Sequence, residues 1–172
     1  MLIGAYGRFW NREHVDWGGR SRPGWRLLGR QNINKGSLKV TDFRLARGVY
    51  ILYDDVGTYY VGLAGGKNGI GGRLKDHLTD EHGHGWTRFS WFSFDEPNST
   101  RDEHGVFSTT ALMSAEIDSA IVIRDLEALL QVALSPYANL RQARFSNAQE
   151  WLQVPTVQPQ VQTFEELRRR LS

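Results

Sequence analysis

Two short runs of apolar and aromatic residues stand out along the chain. They are Val49, Tyr50, Ile51, Leu52 and Tyr53, then Thr58, Tyr59, Tyr60, Val61, Gly62 and Leu63. Asp54, Asp55, Val56 and Gly57 separate them, which predicts a β-hairpin, because β-branched and aromatic residues suit a pleated surface and the polar, glycine-ended gap suits a turn. Glycines between Gly65 and Gly72 lead into a short helix predicted over about 71–80, and residues 86–94 read as a third strand. Residues 95–110 read as a polar loop. Helical periodicity runs from about 119 to 134 and stops at Ser135 and Pro136, as a proline requires. Upstream, Gly18, Gly19, Pro23, Gly24, Gly29 and Gly36 interrupt any sustained period, so residues 1–47 read as an irregular extension. In the tail, Pro155 and Pro159 predict an extended linker. Thr163 and Glu166 then form a capping box for a short C-terminal helix whose Phe164, Leu167 and Leu171 share one face.

Composition narrows the class. A chain of 172 residues, 40% hydrophobic and with six tryptophans, is long and apolar enough for one folded domain. The absence of cysteine excludes disulfides, thiolate zinc sites and cysteine nucleophiles. No apolar run reaches membrane-spanning length, and the first residues lack the plan of a signal peptide, so a cytoplasmic protein is expected. The net charge of +2 hides an asymmetry. Residues 1–47 carry ten basic and three acidic residues, and the remainder carries eleven basic and sixteen acidic. Phe9, Trp10, Trp17 and Trp25 lie among the early arginines. Charge, forked donors and stacking faces together suit a nucleic-acid backbone, with Arg20, Arg22, Arg26 and Arg30 as contacts; the plainer reading is a solvated arm whose tryptophans pack on the main domain.

Chemistry-bearing residues concentrate near the hairpin. With a three-residue loop of Asp54, Asp55 and Val56, Tyr50 faces Tyr60 across the strands, their Cβ atoms about 5 Å apart. An ordinary aromatic pair is the alternative. Arg73 and His77 share one helix face, with Leu74 and Leu78 as anchors on an adjacent one. Glu127 interrupts the apolar stripe of Ile123, Leu130 and Leu134, and there a carboxylate needs either a partner such as Arg124 or a divalent cation. Asn139, beyond the helix break, reads alone as a turn residue. His77, Asp80, Glu81, His82 and His84 form a polar cluster, but no second cluster completes a zinc spacing.

Taken in order, these residues resemble the GIY-YIG endonuclease family over about residues 46–142. The name motif stands as Gly48, Val49, Tyr50 and Tyr60, Val61, Gly62, with valine for isoleucine in each half. The helix arginine matches Arg73, the metal-binding glutamate Glu127 and the late asparagine Asn139. A histidine four residues after the arginine, His77, is similar to the restriction-enzyme branch. The resemblance implies an α+β fold, a small three-stranded antiparallel sheet flanked by helices, here occupying residues 48–142. A basic extension over 1–47 and a tail with a short helix over 143–172 would surround it. It implies hydrolysis of DNA phosphodiester bonds in restriction, phage defence or a mobile element, with Glu127 holding Mg²⁺ or Mn²⁺. Arg73 would neutralise developing charge, Tyr50 or His77 would take the proton, Tyr60 would orient water or phosphate, Asn139 would brace the site and Lys67 would touch phosphate. Double-stranded DNA is the expected partner; a homodimer or a larger defence complex is compatible with the chain. The insertion at about 95–118 is longer than in the smallest relatives. A regulatory nucleic-acid-binding subunit that keeps the fold is the alternative.

Overall fold

The computed structural model describes residues 2–18, 24–111, 119–134 and 144–155. Ten strands and two α-helices follow one another along these residues. In order they are β1 (Ala5–Asn11), β2 (Leu28–Gln31), β3 (Lys39–Asp42), β4 (Gly48–Tyr53), β5 (Thr58–Ala64), helix α1 (Gly69–Asp76), β6 (Arg88–Ser93), β7 (Asp95–Arg101), β8 (Phe107–Ala111), helix α2 (Ser119–Leu134), β9 (Gln149–Glu150) and β10 (Leu152–Gln153).

They build two five-stranded sheets, ordered β5-β4-β6-β1-β9 and β10-β2-β3-β8-β7. Each is mixed, because β1 runs parallel to β9 and β3 parallel to β8. The fold is therefore mostly β, and the expected small three-stranded sheet flanked by helices is incorrect. The hairpin partner β5 and the third strand β6 do border β4, both antiparallel. Beyond them, however, the sheet continues into β1 and β9. The residues expected to form an irregular extension supply β1 to this sheet and β2 and β3 to the second. The residues read as a polar loop form the β7–β8 hairpin. Strands of only four residues, one of them holding a glycine, and a strand reading Asp-Glu-Pro-Asn-Ser-Thr-Arg carry too little apolar alternation to be seen locally; pairing partners decide them.

Burial follows position in the sheet. Strand β4, between β5 and β6, is covered on both faces from Tyr50 to Tyr53. Tyr50 and Leu52 face a large aromatic core with Trp10, Phe43, Phe89, Trp91 and Trp151. Ile51 and Tyr53 face a second core, made with Phe92 and with Ala128, Val132 and Ala133 of α2. Alternation along β4 thus puts α1 and α2 on opposite faces, since Ile70 and Leu74 of α1 join the Tyr50 side. The edge strand β5 leaves Val61 and Leu63 exposed on the face shared with Ile51. Among the described residues no helix is long and apolar enough to cross a membrane.

Candidate functional site

The β4–β5 hairpin sets the geometry. Its loop holds four residues, Asp54 to Gly57, and the Asp54 carboxylate accepts from the Val56 and Gly57 amides at 2.8 and 2.7 Å. With a register irregularity after Leu52, Tyr60 pairs with Leu52 and Gly62 pairs with Tyr50. Tyr60 is consequently diagonal to Tyr50 instead of opposite. The rings still share one face, their centroids 6.2 Å apart.

Helix α1 is tied down at its start. Gly69 has φ +60°, and an added Cβ there would strike the Leu45 backbone. The Ile70 and Gly71 amides donate to the carbonyls of Ala46 and Arg44 at 2.8 and 2.9 Å, so backbone of the turn between β3 and β4 satisfies two of the first turn's free donors. Ile70 and Leu74 then bury, which aims the last turn at Tyr50. His77 is 2% exposed, with its Nε2 2.7 Å from the Tyr50 hydroxyl and its Nδ1 2.6 Å from Asp80 Oδ2. The Tyr60 and His82 rings flank it, each centroid 5.1 Å away. Arg73 stands beside the Tyr50 hydroxyl and within 3.5 Å of Asp76, its side chain 44% exposed.

Burial pushes the Tyr50 phenol up to about 12; the Arg73 charge pulls it back only in part, and Tyr60 adds to the rise. Arg73 is held more firmly cationic by the phenols and Asp76, chiefly by Tyr50. Partial burial pushes the Asp80 carboxyl up, but the His82 amide and His77 outweigh it and hold the group below the usual carboxylate range. Asp80 is thus an acceptor at neutral pH.

The structure brings Tyr50, Tyr60, Arg73 and His77 together. Glu127 is not with them. Its side chain is exposed, it accepts from Gln131 Nε2 at 3.2 Å, and α2 lies on the other face of the sheet. The stripe that carries Glu127 points outward: Leu130 and Leu134 are 55% and 61% exposed. The buried acid of α2 is Asp125, whose Oδ2 and Oδ1 accept from the Leu2 and Ser146 amides at 3.0 and 2.8 Å. A helix apolar on nearly every side gives periodicity little power to choose a face. Asn139, Arg20 and Arg22 lie outside the described residues, as does the expected C-terminal helix. Lys67 is exposed in the loop before α1. Arg26 pairs with Asp102 at 2.7 Å, and Arg30 donates to the Asn32 carbonyl at 3.2 Å.

Two features were missed in the sequence. Asp80 completes a chain from Tyr50 through His77; its position three residues after His77 was a usable signal. Trp25 carries the Lys75 and Arg44 cations 5.1 and 5.6 Å from its ring, next to α1. Trp10, buried, and Trp17 and Trp25, partly buried, pack on the core. His77, Asp80 and His82 have the donor types and spacing to hold a metal ion. A cleft of about 490 Å³ lined by Gln31, Lys39, Glu96, Asn98, Phe107 and Trp151 contains none of the Tyr50 group.

No family model, curated protein or solved structure matches the chain.

Proposed function

We propose that the protein hydrolyses phosphodiester bonds of nucleic acid, as an endonuclease whose centre is Tyr50, His77 and Arg73. The observation that carries this reading is the 2.7 Å contact between the Tyr50 hydroxyl and His77 Nε2, beside an exposed guanidinium. A phenol pushed up to about 12 is ionised in roughly one molecule in 10⁵ at pH 7, too few for a free phenolate base. Neutral His77 instead takes the phenol proton as the Tyr50 oxygen accepts one from the attacking water. Arg73 offers forked donors to the phosphoryl oxygens where charge develops. Arg44, Lys75 and Trp25 extend the positive surface next to α1 and suit a neighbouring phosphate and base.

The resemblance makes Glu127 the ligand for Mg²⁺ or Mn²⁺. An exposed Glu127 on the far face does not fit an ion shared with Tyr50 and Arg73, so no step here passes through one. Metal dependence is an arm of the experiment.

The test is incubation with supercoiled plasmid and Mg²⁺ or Mn²⁺, beside EDTA and the Tyr50→Phe, Arg73→Ala and Glu127→Ala proteins. Nicking or linearisation by the native chain, lost in the first two variants, supports the centre. Loss in Glu127→Ala with the fold retained would restore the metal role to that residue. Binding without cleavage of duplex, single-stranded DNA or RNA would overturn the enzyme in favour of a regulatory nucleic-acid-binding module.

A further inference from the structure

Asp80 lies at the end of a hydrogen-bonded chain whose direction is fixed by chemistry. An ionised carboxylate only accepts, so the proton between Asp80 Oδ2 and His77 Nδ1 belongs to the imidazole. With Nδ1 protonated, the Nε2 of a neutral imidazole must accept, and its partner at 2.7 Å is the Tyr50 hydroxyl, a donor. Asp80 is itself held, its second oxygen accepting from the His82 amide at 2.9 Å. His77 is fixed from the other side, since its carbonyl accepts from Trp86 Nε1 at 3.1 Å.

We propose that Asp80 is a positioning residue, which locks His77 in the tautomer with Nδ1 protonated and thereby makes Nε2 the proton acceptor for Tyr50. This rests on the hydrolase reading above. In the reaction, water loses a proton to the Tyr50 oxygen as the Tyr50 proton moves to His77 Nε2. The water oxygen bonds to phosphorus as the bond to the leaving oxygen breaks. That alkoxide takes a proton from solvent water, and the imidazolium faces the Asp80 carboxylate until it gives its proton to the hydroxide so formed, which restores neutral His77. Groups facing His77 are Tyr50 from β4, Tyr60 from β5, and Asp80 and His82 from the following turn, while Arg73 of α1 faces the Tyr50 hydroxyl.

The same three residues, His77, Asp80 and His82, are the competing metal group. Both His77 nitrogens are engaged, and 2.6 Å between Nδ1 and Oδ2 is a hydrogen bond closer than two ligands of one ion sit.

The experiment is ¹⁵N NMR of the full chain labelled at histidine, which reads tautomers without turnover, alongside plasmid cleavage. In the native protein His77 is expected with Nδ1 protonated and Nε2 bare, and in Asp80→Asn with Nε2 protonation appearing. Cleavage kcat in Asp80→Asn should fall about 100-fold with KM within about twofold. That is less than the ~10⁴ loss of a buried triad carboxylate, because Asp80 is 38% exposed and water can stand in. Asp80→Glu should restore part of both signals. A native Nε2-protonated tautomer, an Asp80→Asn spectrum unchanged at His77, or stoichiometric Zn²⁺ ligation displacing the Tyr50 contact would each overturn the proposal. A native chain that cleaves nothing yet shows the expected tautomer switch would fail the hydrolase reading and leave the Asp80 assignment standing.

Discussion

Gly62 lies directly across the strands from Tyr50, and the Tyr50 ring fills the space where a Gly62 side chain would be. The second half of the tyrosine–glycine motif therefore has a steric meaning: its glycine is the floor under the Tyr50 ring. Gly62→Ala should displace that ring, lower stability by about 1–3 kcal/mol and abolish cleavage, read by urea unfolding and plasmid assay. Gly57→Ala meets nothing within 4 Å and should stay within about 0.5 kcal/mol of native.

Tyr50 should also tie stability to alkaline pH. Its phenol sits near 12 when folded, against about 10 in the unfolded chain, so the folded state holds the proton more tightly. That contribution is complete below pH 10 and is lost as pH rises from 10 towards 12. Native protein should lose stability relative to Tyr50→Phe across this window, measured by urea midpoints. Equal slopes for the two proteins would contradict the burial described for Tyr50.

Asp125 and Glu127 differ by two residues and should differ sharply under substitution. Asp125→Ala leaves the Leu2 and Ser146 amides without their acceptor and should cost about 2–4 kcal/mol. Glu127→Ala removes an exposed side chain and should change stability by no more than about 0.5 kcal/mol. Burial pushes the Asp125 carboxyl up, but the Ser146 and Leu2 amides hold it below its ordinary range. Its contribution is therefore present above the unfolded carboxylate value and disappears as pH falls through the folded one. Acid titration of unfolding should show this loss in the native protein and in Glu127→Ala, and not in Asp125→Ala.

Residues 48–142 expressed alone should fail to fold. They lack β1 and β9, which continue the sheet beyond β6, and they lack Trp10 and Trp151 from the aromatic core. Circular dichroism without a cooperative thermal transition is the expected result.

How much was legible depended on how local the deciding contacts were. The hairpin, the third strand and the helix over 119–134 were readable because their signals lie within a few residues of each other. Tyr50, Tyr60, Arg73 and His77 came together because one hairpin and one adjacent helix position all four. The rest was set at long range. The short strands β2 and β3 become strands through pairing with each other, with β10 and with β8. Tyr60 missed its expected partner by two positions: the Asp54 turn takes four residues instead of three, which shifts the register by one, and the irregularity between Leu52 and Tyr53 shifts it by one more. Glu127 was misplaced because α2 is apolar on nearly every side and only the sheet beneath it chooses Asp125, Ala128 and Val132 as the buried row.

The place of β1 has a consequence for how the molecule is made. Lying between β6 and β9, it is fastened by Arg8 to Glu150 and by Trp10 Nε1 to the Trp151 carbonyl, the latter spanning 141 residues of chain. At a synthesis rate of about 5–20 residues per second, the first strand waits roughly 7–28 s for its last neighbour to leave the ribosome. Through that interval Trp10 is without its final cover, and the tyrosine hairpin is exposed long before the sheet around it closes. The sheet around that hairpin can close only after residues 149–153 have been made.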